Sequence, residues 1–412
     1  FTARQKLALL SFSEKVLSNE QKTKGCSDLL GIAVGRVADA TASLTSWLPS
    51  GEEIKHVFAR QTLPIVWDFG ETNPLSMASR SWSSAIDAIS TVIESASNAQ
   101  LPLGQAQQAD SCRSPLPDAV AATMFTDPPY YDAIPYADLS DFFLVWLKRC
   151  LPDFTYLQDP FDRSNPLSPK TCEIVQDENK QYDEKPKDKL FFEEKIAEAF
   201  AEGRRILRDE GIGSVIFAHK TTEGWEALLS GLINGGWTIT GSWPIATEAG
   251  NRLRARESAA LATSVHLVCR PRPDNAPMGD WGDVLRELPN RVGDWMEHLQ
   301  DEGVRGADLV FACIGPALEI FSRYSRVETA DGREVKLAEY LEKVWEIVGR
   351  LALEQILGTE EARARNGMAG VLEEDARLTA LFLWTLQSTN GNGEGKTKKS
   401  RNKGEELENL ET

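Results

Sequence analysis

The stretch TMFTDPPYYDAIPYADLSDFFLVWLKR (123–149) constrains the fold of this chain more than any other part. A short apolar run at 119–125 ends abruptly at Asp127, and an amphipathic helical pattern follows the polar, aromatic-rich loop. This layout predicts a buried parallel strand that presents a rigid loop at its carboxyl end. Open α/β sheets bind their ligands at that edge.

The residues Asp127, Pro128, Pro129 and Tyr130 suit methylation of an exocyclic amine on a nucleobase. The amine of adenine is a poor nucleophile because its lone pair is delocalised into the ring. Asp127 offers a carboxylate acceptor, and the Pro128 carbonyl offers a second acceptor whose direction the restricted proline φ angles fix. The Tyr130 ring can stack on a flipped base, which contributes ~1–3 kcal/mol and offsets much of the flipping cost. The alternative is a plain strand-ending turn, in which Asp and Pro are common; the flanking patterns favour a site.

The rest of the sequence predicts an α/β protein with appended helical regions. We expect a helical region with a short strand at 65–74 in residues 1–100, a catalytic core in 101–275, a mainly helical region in 276–387 and a disordered tail in 388–412. In the core, strand, helix, strand, helix, strand and strand follow in turn, as in the second half of a doubly wound sheet. Residues 151–188 are predicted to be a long surface excursion.

Finer predictions accompany this division. Helices are expected at 2–18, 27–48, 82–97, 191–208 and 337–357, with Asp209 to Gly211 ending the fourth and a strand at 214–218 after it. Gly31 and Gly35 do not follow a strand, so we interpret them as sites of close helix packing rather than a nucleotide loop.

Composition limits the environment and the partners. No apolar run approaches the roughly 20 residues that span a bilayer, and no signal peptide is evident, so we expect a cytoplasmic protein without a membrane partner. The six cysteines include no CxxC pair and only four histidines occur, so no metal site is predicted. The net charge of −17 argues against nonspecific coating of nucleic acid but leaves room for a local basic patch.

Four segments carry a resemblance to a known family: TDPPYYDAIPYADLSDFFLVWLKR, the preceding PLPDAV, VWDFGETNP, and GADLVFACIGPALEIFSRY at 306–324. Over most of residues 1–350 the chain resembles the C-terminal part of adenine-specific DNA methylases that carry a zinc-ribbon insertion. The resemblance implies a class I (Rossmann-like) methyltransferase sheet, S-adenosyl-L-methionine as cofactor, DNA as partner and a role in host defence or restriction-modification.

The chain departs from this family at the cofactor. The glycine-rich loop of the form Asp-Pro-Phe-x-Gly-x-Gly, which those proteins carry upstream together with the zinc ribbon, is absent. We therefore expect a sheet that is incomplete at its N-terminal side. A missing N-terminal segment or a second polypeptide would complete the cofactor site, and a first residue that is Phe1 rather than Met agrees with a fragment. Alone, the chain should bind cofactor poorly.

Three further residues are candidates for cofactor contacts. Gln105 lies in a polar connector and is otherwise a solvated loop residue, and Asn73 is otherwise a helix cap. Lys220 follows the strand at 214–218 on the edge that carries Asp127, where it contacts cofactor or phosphate or is simply solvated.

Nucleic-acid contacts are predicted from a second group. Tyr136 either lines the base pocket or packs beneath it. Arg252, Arg254 and Arg256 alternate between the last two strands and form either a phosphate-contacting finger or a solvated hairpin.

The leading hypothesis is an N6-adenine DNA methyltransferase. One alternative is an RNA or protein amino-methyltransferase, although such enzymes prefer Asn at the first motif position and Asp127 therefore favours DNA. The other is a non-catalytic DNA-binding or assembly subunit descended from a methylase, which the absent glycine loop favours.

Overall fold

The chain forms two compact units in the computed structural model, which describes residues 1–18, 23–58, 62–99, 102–219, 221–246, 263–304, 309 and 312–357. One unit, here called the helical unit, comprises Phe1–Pro115 and Pro129–Ala199. The other, the sheet unit, comprises Leu116–Pro128 and the chain from Phe200 onward. The division falls between Pro128 and Pro129, inside the Asp-Pro-Pro-Tyr motif.

The helical unit contains four helices and the start of a fifth within its described residues. They are α1 (Ala3–Ser18), α2 (Lys24–Ala40), α3 (Trp82–Asn98), α4 (Tyr136–Cys150) and α5 (Lys189–Ile206), which continues into the sheet unit. Two small antiparallel pairs accompany them: β1 (Trp47–Leu48) with β2 (Glu53–Ile54), and β4 (Asp177–Tyr182) with β5 (Lys185–Lys187).

The core of the helical unit forms around α2, which packs against α1, α3 and α4. Its buried members are Leu9, Val16, Ala33, Val34, Val37, Ala38, Ala85, Trp146 and Cys150. A Cβ added to Gly31 would lie 3.1 Å from Leu151 Cδ1, and one on Gly35 would lie 3.6 Å from Phe143 Cδ1. Gly31 therefore faces the residue that follows α4, Gly35 faces the middle of that helix, and their interpretation as packing positions is confirmed.

The sheet unit is built on a mixed four-stranded sheet. Its strands are β3 (Ala121–Thr126), β6 (Leu207–Phe217), β7 (Trp237–Ala246) and β8 (Thr263–Pro271), in the spatial order β3-β6-β8-β7. β3 and β6 are parallel, and β8 runs antiparallel to both β6 and β7. The predicted α/β class is confirmed at this level.

Four helices and a short parallel pair complete the described part of the sheet unit beyond α5. They are α6 (Thr222–Asn234), α7 (Trp281–Asp301), α8 (Ile314–Ser322), α9 (Leu337–Leu357), and β9 (Gly279–Asp280) with β10 (Val327–Glu328). None of the helices in the described ranges is long and apolar enough to cross a membrane.

Close packing fixes the helices on this sheet. The indole of Trp237, which is fully buried, donates to the Phe200 carbonyl at 2.8 Å, and this contact ties β7 to the end of α5. On the outer edge of β7, the Ile239 amide donates to Ser322 Oγ at 2.9 Å. A Cβ on Gly315 would lie 2.6 Å from the Gly241 carbonyl carbon. The stretch 306–324 therefore includes a buried helix, α8, that covers this edge.

Several local predictions are wrong. Residues 65–74 form no strand, because Thr72 Oγ1 donates to the Ala40 carbonyl (2.8 Å) and Glu71 accepts from Arg4 (2.6 Å), which anchors the segment to helices. α2 ends at Ala40 rather than at 48, since Thr41 leaves helical geometry.

Two further segments contain regular structure that the sequence did not predict. The excursion at 151–188 contains the β4–β5 hairpin and a 3-10 turn at Thr155–Leu157. Asp209 to Gly211 do not separate a helix from a strand but lie inside β6, where the register against β3 shifts.

The burial predicted for β3 is also wrong. Within the described residues no strand pairs with the second edge of β3, so Ala122, Thr123 and Phe125 are exposed, the last to 65%. β3 carries no charge and no proline, the features with which natural edge strands resist pairing. Its composition is that of an interior strand.

Candidate functional site

The sheet unit contributes the first half of the motif. Thr126 lies opposite Val215 in the parallel β3–β6 ladder, so both strands end at the same edge of the sheet. Asp127 and Pro128 follow β3 directly there; Asp127 is exposed and Pro128 is buried. The Asp127 carboxylate is thus accessible at the carboxyl edge of a parallel strand pair, where α/β sheets bind ligands.

The other end of β3 is held by Arg205. The carbonyl of Arg205 accepts from the Ala119 amide at 3.0 Å, and its guanidinium donates to the Leu116 carbonyl at 2.9 Å. The same guanidinium forms ion pairs with Glu202 and Asp118, whose hydrogen bonds raise the pKa of Arg205 above its usual value. The strand that delivers Asp127 is therefore fixed at its start by α5.

His219 lies at the same edge, two residues after β6, and is 8% exposed. The Thr221 amide donates to Nδ1 at 3.2 Å. The ring stacks on Phe217 with centroids 6.1 Å apart, and the His219 carbonyl accepts from the Trp225 indole at 3.1 Å. This residue links the end of β6 to the start of α6. In the sequence, only its position after a predicted strand distinguishes it.

The helical unit contributes the second half of the motif. Pro129 and Tyr130 are half-buried, whereas Tyr131 is 4% exposed and its ring meets Phe192 edge-on at 5.1 Å. Tyr131 has a φ of 54°, a left-handed conformation that is uncommon for an aromatic residue. The buried ring holds this conformation, and the Ala133 amide closes the turn by donating to the Tyr130 carbonyl at 2.9 Å.

The helix after the loop begins at Tyr136, which is 39% exposed. Pro135 at the N-cap supplies no capping side chain. The Glu173 carboxylate takes this role from a distance, since its Oε1 accepts from the Ala137 amide at 2.7 Å. Asp138, which also follows the motif, forms an ion pair with Lys180.

The candidate cofactor residues Asn73 and Gln105 are both exposed parts of the helical unit. Asn73 Oδ1 accepts from the Leu75 amide at 3.1 Å and so caps a turn. The prediction that Asn73 caps the next helix is wrong, because Ser81 is the N-cap of α3 and accepts from the Ser84 amide. Gln105 lies in the extended segment 102–109.

Some predicted residues lie outside the described part of the chain. They are Lys220, Arg252, Arg254, Arg256 and the tail at 388–412.

A concavity of about 420 Å³ occurs in the helical unit beside α4. Its lining consists of Asp39, His56, Phe58, Leu139, Ser140 and Phe143. His56 Nδ1 pairs with the Asp39 carboxylate, and its Nε2 accepts from Arg80 at 2.8 Å. This wall is mainly aromatic with one polar edge. No sequence pattern indicates this concavity, because its hydrogen-bonded residues are 17 and 24 positions apart.

The described residues do not provide the cofactor loop of the resembled family. Glycines with positive φ are Gly236, Gly303 and Gly332, which follow α6, follow α7 and lie in the turn before α9, so none of them ends a parallel strand. Across the described ranges, no three His, Cys, Asp or Glu residues form a metal-binding group.

The thiols of the sheet unit are buried and unreactive. Burial raises the pKa of Cys313 to about 12 and that of Cys269 further still.

Comparison of the chain with models of known families, with curated proteins and with solved structures found no match.

Proposed function

We propose that this chain carries the base-binding half of an S-adenosyl-L-methionine-dependent DNA methyltransferase that methylates the N6 amine of a flipped adenine. One observation carries the proposal: Asp127 and Pro128 directly continue a parallel strand at its carboxyl edge, and the Asp127 carboxylate is exposed there. Two hydrogen-bond acceptors in that place favour binding of an amine over a turn that only ends the strand.

The topology agrees with a class I (Rossmann-like) sheet. In the order of the chain, β3, α4, α5, β6, α6, β7 and β8 reproduce the alternation expected of the second half of such a sheet, with a small hairpin between α4 and α5. β8 is inserted antiparallel between β6 and β7. Among the described residues no strand pairs with one edge of β3, and further parallel strands from a second polypeptide would add there.

The chemistry follows from the acceptors. The Asp127 carboxylate accepts one N6–H bond and the Pro128 carbonyl accepts the other, which turns the nitrogen lone pair out of the ring plane. Tyr130 stacks on the flipped base and holds it in place. Bound S-adenosyl-L-methionine supplies an electrophilic methyl group. As the N–C bond formed, the S–CH3 bond of the sulfonium would break and leave a neutral thioether. N6 would then carry a positive charge and release one proton to solvent, so no general base would be required.

Substitution of Asp127 tests the proposal in the full chain, assayed together with the polypeptide that completes its cofactor site. Asp127→Ala should lower kcat for DNA methylation by at least about 100-fold, since a lost transition-state acceptor costs ~2.7–4 kcal/mol by analogy with oxyanion donors. The Kd for duplex DNA should change by less than about twofold, because base contacts in the site add little to backbone-driven affinity. Asp153→Ala, another exposed carboxylate, is the matched control.

Unchanged methylation in Asp127→Ala would contradict the proposal. The second candidate function is a non-catalytic DNA-binding or assembly subunit, which the lack of a glycine turn after any described parallel strand favours. That candidate predicts DNA binding without methylation by the intact wild-type protein. Methylation-sensitive digestion of the incubated DNA separates the two.

A further inference from the structure

Residues 166–187, here called the α4 clamp, contact the loop after the motif and the beginning of α4. All of these contacts lie within the helical unit. The Gln176 amide donates to the Tyr131 carbonyl at 3.2 Å. The Ser168 hydroxyl donates to the Ala137 carbonyl at 2.6 Å. The clamp thus holds both the aromatic loop and the first turn of the helix.

Two ion pairs reinforce the clamp. Lys180 pairs with Asp138, and Lys170 pairs with Asp141 one turn further along α4. Partial burial by itself would raise the pKa of Asp141, but the hydrogen bonds from Lys170 and Ser168 outweigh it and hold that pKa below its usual value. The helix that follows the motif is therefore tied to the clamp on two successive turns.

Glu173 holds the first turn of the helix that follows the motif. It caps α4 through the Ala137 amide, a role that Pro135 cannot fill. Its second oxygen, Oε2, is buried and has no hydrogen-bond partner among the described residues. A buried acceptor without a partner costs about 1–3 kcal/mol, which offsets much of what the cap contributes to stability.

Lys187 fixes the turn that presents Glu173. It is fully buried, donates to the Lys170 carbonyl at 3.0 Å and to the Glu173 carbonyl, and lies 5.1 Å from the Phe191 ring centroid. Burial lowers the pKa of Lys187. Its immediate bonding partners are backbone carbonyls, so its removal would loosen the turn from Lys170 to Glu173.

We propose that Glu173 and Lys187 are positioning residues for methyl transfer: they set the start of α4 and thereby the orientation of the Tyr130–Tyr136 loop. This inference rests on the proposed function. The loop is continuous with Asp127 and Pro128, and a displacement of about 1 Å at a reacting group can cost about 100-fold in rate.

The test combines amide hydrogen exchange with steady-state kinetics on the intact protein. The variants are Glu173→Ala, Glu173→Gln and Lys187→Met. The matched controls are Glu178→Ala and Lys185→Met, which remove exposed side chains of the same hairpin. Lys185 and Lys187 both lie on β5, one exposed and the other buried.

In Glu173→Ala and Lys187→Met, exchange at 131–140 should be at least about tenfold faster while that of α1 and α2 stays unchanged. The kcat should fall at least about tenfold with KM for S-adenosyl-L-methionine unchanged, because positioning acts on the chemical step. Glu173→Gln should recover much of both, since its amide oxygen can still accept from Ala137. If Lys187→Met does not fold, the two Glu173 variants suffice.

Unchanged exchange in the loop overturns the inference whether or not the protein methylates DNA. Faster exchange with an unchanged kcat overturns the positioning role and leaves the proposed function intact. If the wild-type chain, supplied with the polypeptide that completes its cofactor site, does not methylate DNA, the proposed function fails, and the role in methyl transfer fails with it.

Discussion

The contact between His219 and Gly224 allows a quantitative test of how the carboxyl edge of the sheet is built. A Cβ on Gly224 would lie 2.2 Å from His219 Nδ1 and 2.5 Å from its Cγ. These distances are far too short for any real contact, so Gly224→Ala must displace the imidazole. The ring would then lose its bonds from the Thr221 amide and hydroxyl, at 3.2 and 3.0 Å.

The magnitude depends on two opposing effects. Alanine favours helix over glycine by up to about 1 kcal/mol. Overpacking costs about 1–3 kcal/mol, and the lost hydrogen bonds add about 0.5–1.5 kcal/mol each. In the wild-type background we expect Gly224→Ala to lower the free energy of unfolding by about 1–5 kcal/mol, because the clash and the two lost hydrogen bonds outweigh the propensity.

The sign should reverse when the clash is removed. In a His219→Ala background, Gly224→Ala should raise the free energy of unfolding by up to about 1 kcal/mol. The coupling energy is then about 2–6 kcal/mol, well above the few tenths expected of independent sites. Urea unfolding of the four proteins, with equal m values required, measures the cycle. Equal effects of Gly224→Ala in both backgrounds would refute the packing argument.

Two other changes are predicted. Gly315→Ala should destabilise by about 1–3 kcal/mol, because its Cβ would lie 2.4 Å from Ser242 Oγ, whereas Gly293→Ala, with no neighbour within 4 Å, should be neutral or stabilising in the same urea assay. Asp141→Asn should cost about 1–2 kcal/mol near neutral pH, because Asp141 accepts from Lys170 and has a lowered pKa in the folded state. That stability is present above the unfolded pKa and is lost as the pH falls below about 4, so the two melting curves should converge there; a constant difference would contradict the assignment.

Strong helical periodicity was enough to predict most helices. The starts of α9 at Leu337 and of α3 at Trp82 agree with the predicted bounds, and the Ser81 side chain caps α3. The segment at 65–74 misled because its apolar residues look like a strand. Ile65 and Trp67 are exposed to 98% and 104%, so within the described residues these side chains find no core.

The β4–β5 hairpin was invisible for the opposite reason. Its sequence DENKQYDEKPK is almost wholly polar, so no alternation marks its strands. Its two-residue turn uses Asp183 and Glu184, with φ of 48° and 64°, in place of the usual Asn-Gly signal. Charged contacts to α4, rather than hydrophobic burial, hold the hairpin in place. Such contacts leave no periodic pattern in a sequence.

The same difference separates the two parts of the candidate site. The four motif residues are contiguous, so their chemistry could be proposed from the sequence, and their place after a parallel strand followed from the pattern around them. The contacts that hold α4 join residues 29, 36 and 42 positions apart. Because these contacts are made by isolated Lys, Asp and Glu residues among many similar ones, only the folded chain distinguishes them from a solvated surface. The motif residues of this candidate site are contiguous and can therefore be proposed from the sequence. The residues that orient them are distant in sequence and cannot.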